Sequence, residues 1–194
     1  MPIVDSLVRP MRLTTMTDLR EWIAADLRRH EIPPGVRGLA ALVRLPSARW
    51  QIRLRVTEYL VNRAGPVLGG VARWRLQAAS VKLGYSITAN TIGPGLKLPH
   101  WGTIVISGKA RVGPGATIHP GTCLGEHYGQ APTLGDNVSL GPGAKAYGPI
   151  EIGDGATLGA NCVATSDVPP GVTVVGAPAR PLPARTRPVD RSLG

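Results

Sequence analysis

Four histidines are the side chains of this chain best suited to moving a proton near neutral pH: His30, His100, His119 and His127. A neutral imidazole beside an alcohol removes its proton during attack, which turns a poor nucleophile into an effective one. His100 stands in Leu-Pro-His-Trp-Gly, and His119 fills a slot where Gly or another small residue is typical. His127 lies in the loop Gly125 to Thr133. His30 ends a helix, where a cation suits the dipole, and is given no functional role. The residues alone also allow structural readings of the other three: a surface corner for His100, a filled slot for His119 and a plain loop residue for His127.

What must position them is a repeat. Apolar residues return every six positions at Ile92, Leu98 and Ile104, and after a two-residue slip at Ile106, Val112, Ile118 and Leu124. A four-residue insertion follows, then Leu134, Leu140, Ala146, Ile152, Leu158 and Ala164. Small residues such as Ala116, Thr122, Val138, Ala144, Ala156 and Cys162 sit four positions after many of these. A hexapeptide period signals a parallel β-helix, in which three hexapeptides close one triangular coil. Its narrow core has no room for rings, and the chain has no Phe.

This register stacks Leu98, Ile118, Leu140 and Leu158 in one column. His100 is then two residues past one member and His119 one residue past the next. With coils ~4.8 Å apart, the two imidazoles come within about one side-chain length. The loop carrying His127 bulges from the repeat, and such an insertion usually marks the functional face. All three are expected around one side of the solenoid.

Before the repeat, Thr17-Asp18-Leu19-Arg20-Glu21 opens a helix that stops before Pro33-Pro34. A second helix is expected at about Ser47 to Asn62 and a third at about Gly70 to Val81. Trp22, Trp50 and Trp74, excluded from the β-helix, should pack among them. The organisation expected is a helical domain over 1–84, a β-helix over 85–168 and an extension over 169–194, with a Pro/Arg-rich tail from Pro183.

Composition limits the partners. The net charge is +10, with 14 Lys/Arg against 6 Asp/Glu in residues 1–84 and 8 against 6 thereafter. That excess is either a solvated arginine-rich surface or an attraction to an anionic partner, such as a phospholipid surface or a polyphosphate ligand. The basic residues have no interleaved aromatic platform, which argues against nucleic acid. No signal peptide or membrane span is legible, and Cys123 and Cys162 read as free thiols about two coils apart, so a cytoplasmic protein is expected.

Three blocks carry a family resemblance: Ile92-Gly-Pro-Gly-Leu-Lys-Leu-Pro-His100-Trp-Gly-Thr-Ile-Val-Ile, Pro132-Thr-Leu-Gly-Asp-Asn-Val-Ser-Leu-Gly-Pro-Gly-Ala-Lys145 and Val168-Pro-Pro-Gly-Val-Thr-Val-Val-Gly-Ala-Pro-Ala-Arg180. In this order they resemble the hexapeptide-repeat acyltransferases, within them the serine O-acetyltransferase branch and its exopolysaccharide relatives. The resemblance implies a left-handed β-helix and an acetyl-CoA-dependent O-acetyltransferase. It also implies a homotrimer with active sites in grooves between neighbouring β-helices, and no metal. His100 falls on the family's catalytic base, with His119 or His127 as a second active-site residue. Ala144, Lys145, Ala160 and Arg180 fall where the family contacts coenzyme A.

The sequence departs from the serine-specific members at the acceptor side. Pro99 stands where they carry Asp, Ser86 or a neighbour replaces the acid that orients the histidine, and Tyr128-Gly-Gln-Ala-Pro132 replaces Asp-Arg-His-Pro. A saccharide hydroxyl is therefore the favoured acceptor, with L-serine of cysteine biosynthesis as the alternative. Two rivals are weaker: a zinc hydratase using three histidines on this fold, and a non-catalytic β-helix scaffold.

Overall fold

The computed structural model describes residues 12–33 and 35–183. Residues 184–194, most of the Pro/Arg-rich tail, lie outside the described residues. Helix α1 (Met16–Arg29) has its cap two residues before the expected Thr17. Thr15 is the N-cap, accepting from the Asp18 N–H while the Asp18 carboxylate accepts from the Thr15 N–H, a reciprocal capping box. Helix α2 (Val36–Arg44) was not anticipated. Helix α3 (Pro46–Arg63) has Pro in its first turn, where the missing N–H costs nothing. Helix α4 (Gly65–Leu83) starts five residues before the expected third helix for the same reason, and closes on Gly84 in the left-handed region at φ 77°.

Small residues decide how these helices meet. Gly69, Ala72 and Ala79 of α4 are buried and let it approach α3 closely, with Trp50, Leu54 and Leu76 filling the space. Trp74 does not pack inward as expected, since it is 71% exposed, and its neighbour Val71 is 51% exposed. Both lie on the face of α4 opposite its small residues. Trp50 alone among the tryptophans is fully buried. Trp22 is half-buried, with the Arg55 guanidinium 5.1 Å from its ring centroid.

The chain then winds into five coils of a parallel β-helix. The first comprises β1 (Tyr85–Ile87) and the bridging residues Ile92 and Lys97. The second holds β2 (Ile104–Ile106), β3 (Arg111–Val112) and β4 (Thr117–Ile118). The third holds β5 (Cys123–Gly125), β6 (Thr133–Leu134) and β7 (Ser139–Leu140), and the fourth β8 (Lys145–Tyr147), β9 (Glu151–Ile152) and β10 (Thr157–Leu158). The last comprises β11 (Val163–Ala164), a bridge at Val168 and β12 (Thr173–Val175), on which β13 (Arg180–Pro181) folds back antiparallel.

Stacking produces three sheets. The first is β1-β2-β5-β8-β11, the second β3-β6-β9, and the third β4-β7-β10-β12-β13. Ile118, Leu140, Leu158 and Val174 are in direct register in the third sheet, and the Lys97–Thr117 bridge brings Leu98 beneath them. The solenoid therefore runs past residue 168, where the extension was expected to begin. The step from Ala164 to Val168 is only four residues, which interrupts the count, and Val174 restores it six residues later. Ala116, Val138, Ala144, Ala156 and Cys162 fill the inward small positions with no exposure.

A buried charge network joins the helices to the first coil. Arg55 Nε donates to Asp26 Oδ2 at 2.8 Å, and Arg55 Nη1 to Glu58 Oε2 at 3.0 Å. The same guanidinium donates to the carbonyls of Ile92 and Gly93, at 2.8 and 2.7 Å. The carboxylates reach the coil as well: Asp26 accepts from the Leu96 N–H and Glu58 from the Asn90 N–H. The open end of a solenoid leaves backbone groups without a coil beneath them, and these charges satisfy several of them. No helix among the described residues is long and apolar enough to cross a membrane.

Candidate active site

The edge where the third sheet turns into the first gathers most of the expected chemistry. Each coil contributes a tight corner there: residues 99–103, 119–122, 141–144 and 159–162. The corners are tied vertically, Gly121 N–H to the Thr103 carbonyl at 2.6 Å, Gly143 N–H to Pro120 at 2.9 Å and Asn161 N–H to Pro142 at 2.8 Å. Glycine is required where they nearly touch. Gly102 has φ 143°, and a Cβ on it would stand 3.0 Å from Pro120 Cβ. His100 and His119 thus sit on adjacent corners of one edge.

His100 is exposed, beside the 61% exposed ring of Trp101. Its carbonyl accepts from the Tyr85 hydroxyl at 3.1 Å, and Tyr85 in turn lies 2.8 Å from Ser47 Oγ. His119 is half-buried, and burial pulls its pKa below the ordinary histidine value, helped by the positive charges of His100 and Lys97. His119 is therefore biased toward its neutral ring. That is the form in which histidine accepts a proton. Sequence reasoning missed Lys97 and Tyr85. The signal for Lys97 was its place directly before Leu98 of the stacked column.

Above the histidines, the same edge offers cations. Lys145 opens β8 in register with Cys123 below and Val163 above, and its Nζ donates to the Gly143 carbonyl at 2.9 Å. Ala160 is exposed two corners above His119. Arg180 follows Ala179, whose N–H donates to the Val163 carbonyl at 2.9 Å, so its exposed guanidinium caps the strip. From the His119 corner to the Ala160 corner is two coil steps, ~10 Å. An imidazole pair at one end and two cations at the other suit a ligand with a reactive group and a distant phosphate cluster. Ala144 does not join them. It is fully buried, its N–H donates to Gly141 and its carbonyl accepts from Cys123, which leaves it nothing to offer a ligand.

His127 is also elsewhere. It follows β5, so the whole first sheet separates it from the His100–His119 edge within one chain. The loop is a small hairpin, with His127 and Gln130 exchanging backbone hydrogen bonds and the imidazole centred 4.1 Å from the Tyr128 ring, tilted 55° to it. Lys109 Nζ pins it through Glu126 Oε1 and the Gly129 carbonyl, at 3.0 and 2.9 Å. The expected cluster of three histidines on one side is therefore a pair and a separate loop. Among the described residues no group of three His, Cys, Asp or Glu could hold a metal ion.

His30 also differs from expectation. It is a half-buried C-cap whose Nε2 lies 2.6 Å from Gln51 Oε1, and burial lowers its pKa, favouring the neutral ring over a cation.

Comparison with known proteins identifies the family. Residues 131–166 match the bacterial transferase hexapeptide family (six repeats). A serine acetyltransferase of Synechococcus elongatus is 34% identical over 180 residues, 88% of this chain and 72% of that protein. One of Mycobacterium tuberculosis is 41% identical over 129 residues, 64% of this chain and 55% of the relative. A solved serine acetyltransferase in complex with CoA superimposes with a TM-score of 0.71 at 28% identity, covering 86% of this chain and 71% of that one. The chain belongs to the hexapeptide-repeat acyltransferases, in their serine acetyltransferase branch, and is an acetyl-CoA-dependent enzyme of that class.

Proposed function

We propose that this enzyme is a serine O-acetyltransferase, with His100 as general base. The observation that carries the reading is the relation to serine acetyltransferases along 88% of the chain. It supports serine over the saccharide expected from the loop. In this mechanism His100 takes the proton of the serine hydroxyl as its oxygen attacks the thioester carbonyl. The new C–O bond forms, the C–S bond breaks, and the proton passes from His100 to the departing thiolate. His119 stays neutral beside it and holds the acceptor by a hydrogen bond. Lys145 and Arg180 bind the phosphates of the co-substrate, and the exposed corner at Ala160 leaves room for its chain.

The working unit in this reading is a homotrimer. A groove between two β-helices joins an edge of one chain to a different edge of the next, and this would let the partner subunit's His127 complete the site. The free thiols Cys123 and Cys162 favour a reducing, cytoplasmic setting.

A saccharide acceptor is the second reading. Pro99, in place of the acid of serine-specific members, favours it, because the ammonium of serine needs a carboxylate partner. The test is release of free thiol from acetyl-CoA with L-serine and with a panel of sugars and nucleotide sugars. Fast release with L-serine and formation of O-acetylserine is the expected result. Release with a sugar and silence with serine would replace it with the second reading.

A further inference from the structure

The outer face of α4 carries an apolar stripe that none of the described residues covers. Val67, Val71, Trp74, Ala78 and Val81 follow one another at intervals of four, three, four and three residues, which lines them along a single helix face. The four larger ones are each at least half exposed. Their face is opposite Gly69, Ala72, Leu76 and Ala79, which pack inward. The helix is thus apolar on two sides, and only one serves the fold.

Cations border the free side. On the helical wheel Arg75 and Lys82 lie on one flank and Arg73 on the other, and α4 contains no Asp or Glu. Next to the stripe is a shallow, open cleft of about 200 Å³ lined by Arg53 of α3 with Trp74, Arg75, Ala78, Ala79 and Lys82. Three cations and an indole around an open cleft suit an anionic phosphate ester whose attached chain is apolar.

We propose that α4 docks on the surface of an anionic phospholipid bilayer, with the Val67–Val81 stripe at the acyl boundary and the Arg53–Arg75–Lys82 cleft on a lipid headgroup phosphate. A helix with a Trp-bearing apolar face and flanking Lys or Arg lies in the plane of such an interface. Charge selects this occupant over a second copy of the chain. Pairing α4 with another α4 would bring Arg75 and Lys82 toward Gln77, Gly70 or one another, with no acid on either helix to answer them. An anionic bilayer supplies the complement along the whole stripe. Docking here leaves the His100–Arg180 strip free, because the stripe lies on the outer face of α4, whereas α4 meets that edge only at its C-terminal end, where the Leu83 carbonyl accepts from the Gly102 N–H.

The test is sedimentation of the purified full chain with vesicles of phosphatidylcholine alone and with vesicles containing phosphatidylglycerol. The wild type should bind the second at least roughly tenfold more tightly, and the advantage should shrink as salt rises. Two variants separate the parts: Val71→Ser with Trp74→Ser for the stripe, and Arg53→Gln, Arg75→Gln with Lys82→Gln for the cleft. Each should lose tenfold or more in vesicle affinity while thiol release from acetyl-CoA, assayed without vesicles, stays unchanged. Equal or absent binding to both vesicle types overturns the proposal, as does binding that both variants retain. So does a stripe variant whose molecular mass by light scattering drops, since a second copy would then be the occupant. Binding of free inorganic phosphate at the cleft without vesicle binding also overturns it.

Discussion

The Tyr85 hydroxyl donates to the backbone carbonyl of His100 at 3.1 Å, and this one bond links the candidate base to the helical layer. Ser47 Oγ, on α3, lies 2.8 Å from the same hydroxyl, and the Tyr85 ring stands edge-on to Trp50 at 4.9 Å. Burial raises the Tyr85 pKa, so the phenol remains a donor. The same corner has a second tie to the helices, the Gly102 N–H donating to the Leu83 carbonyl of α4 at 3.0 Å, but among the described residues only Tyr85 holds the His100 backbone itself, which makes Tyr85 a positioning residue for His100. Tyr85→Phe keeps the ring and loses the donor. It should cost about 1–2 kcal/mol of stability and lower kcat several-fold with the KM for acetyl-CoA unchanged. A fall in thermal midpoint with wild-type kcat would reduce Tyr85 to a structural role.

Arg180 tests the other end of the strip. Its guanidinium is exposed, and among the described residues its Nη1 donates only to the neighbouring Ala179 carbonyl, so it is available to a phosphate. Arg180→Ala should raise the KM for acetyl-CoA about tenfold, the order of a lost charge-assisted contact, with less effect on kcat. An unmoved KM would remove Arg180 from the binding strip.

Acid should weaken this fold through two histidines. Burial lowers the native pKa of His30 and of His119, so the unfolded chain, with ordinary histidine values of about 6.5, binds the extra protons first. Their contribution to stability is therefore present above that value and is lost as pH falls through the lower native values. Urea midpoints should drop between pH 7.5 and pH 5.5, and His30→Gln should flatten part of the drop. The same slope in His30→Gln would assign the acid sensitivity elsewhere.

The junction between helices and solenoid rests on a buried cation. Arg55 has no exposure and meets Asp26, Glu58 and two carbonyls of the first coil. Burial raises the Glu58 pKa, with Arg55 opposing that shift, so removing the guanidinium leaves two buried carboxyl groups without their counter-charge. Arg55→Met should destabilise by about 3–5 kcal/mol, read by urea denaturation. A Met variant as stable as the wild type would show that packing alone holds the two regions together.

The six-residue period made the solenoid legible, because a parallel β-helix imposes its register on every coil. The column of Leu98, Ile118, Leu140 and Leu158 follows from counting alone. The count lost Val174 because the turn from Ala164 to Val168 is shortened. Helix periodicity was a weaker guide. Val36–Arg44 is only nine residues long, between Pro33 and Pro46, and gave no sign of a helix. Trp74 looked like core because large apolar rings usually are, but Gly69, Ala72 and Ala79 take the packing face instead. At the site, His100 and His119 were placed by register, whereas Tyr85–Ser47 and Arg55–Asp26 join residues 38 and 29 positions apart that no repeat relates. His127 was misplaced for a topological reason: an insertion after β5 leaves the solenoid at a different edge from one after β4.

The most direct test of the account is turnover of acetyl-CoA with L-serine by His100→Ala beside the wild type, with free thiol and O-acetylserine both measured. Loss of the base should lower kcat by about 10²-fold or more while the KM for acetyl-CoA stays near its wild-type value, because Lys145 and Arg180 are untouched. Wild-type turnover in His100→Ala would contradict the assignment of His100 as the base and, with it, of this edge as the active site.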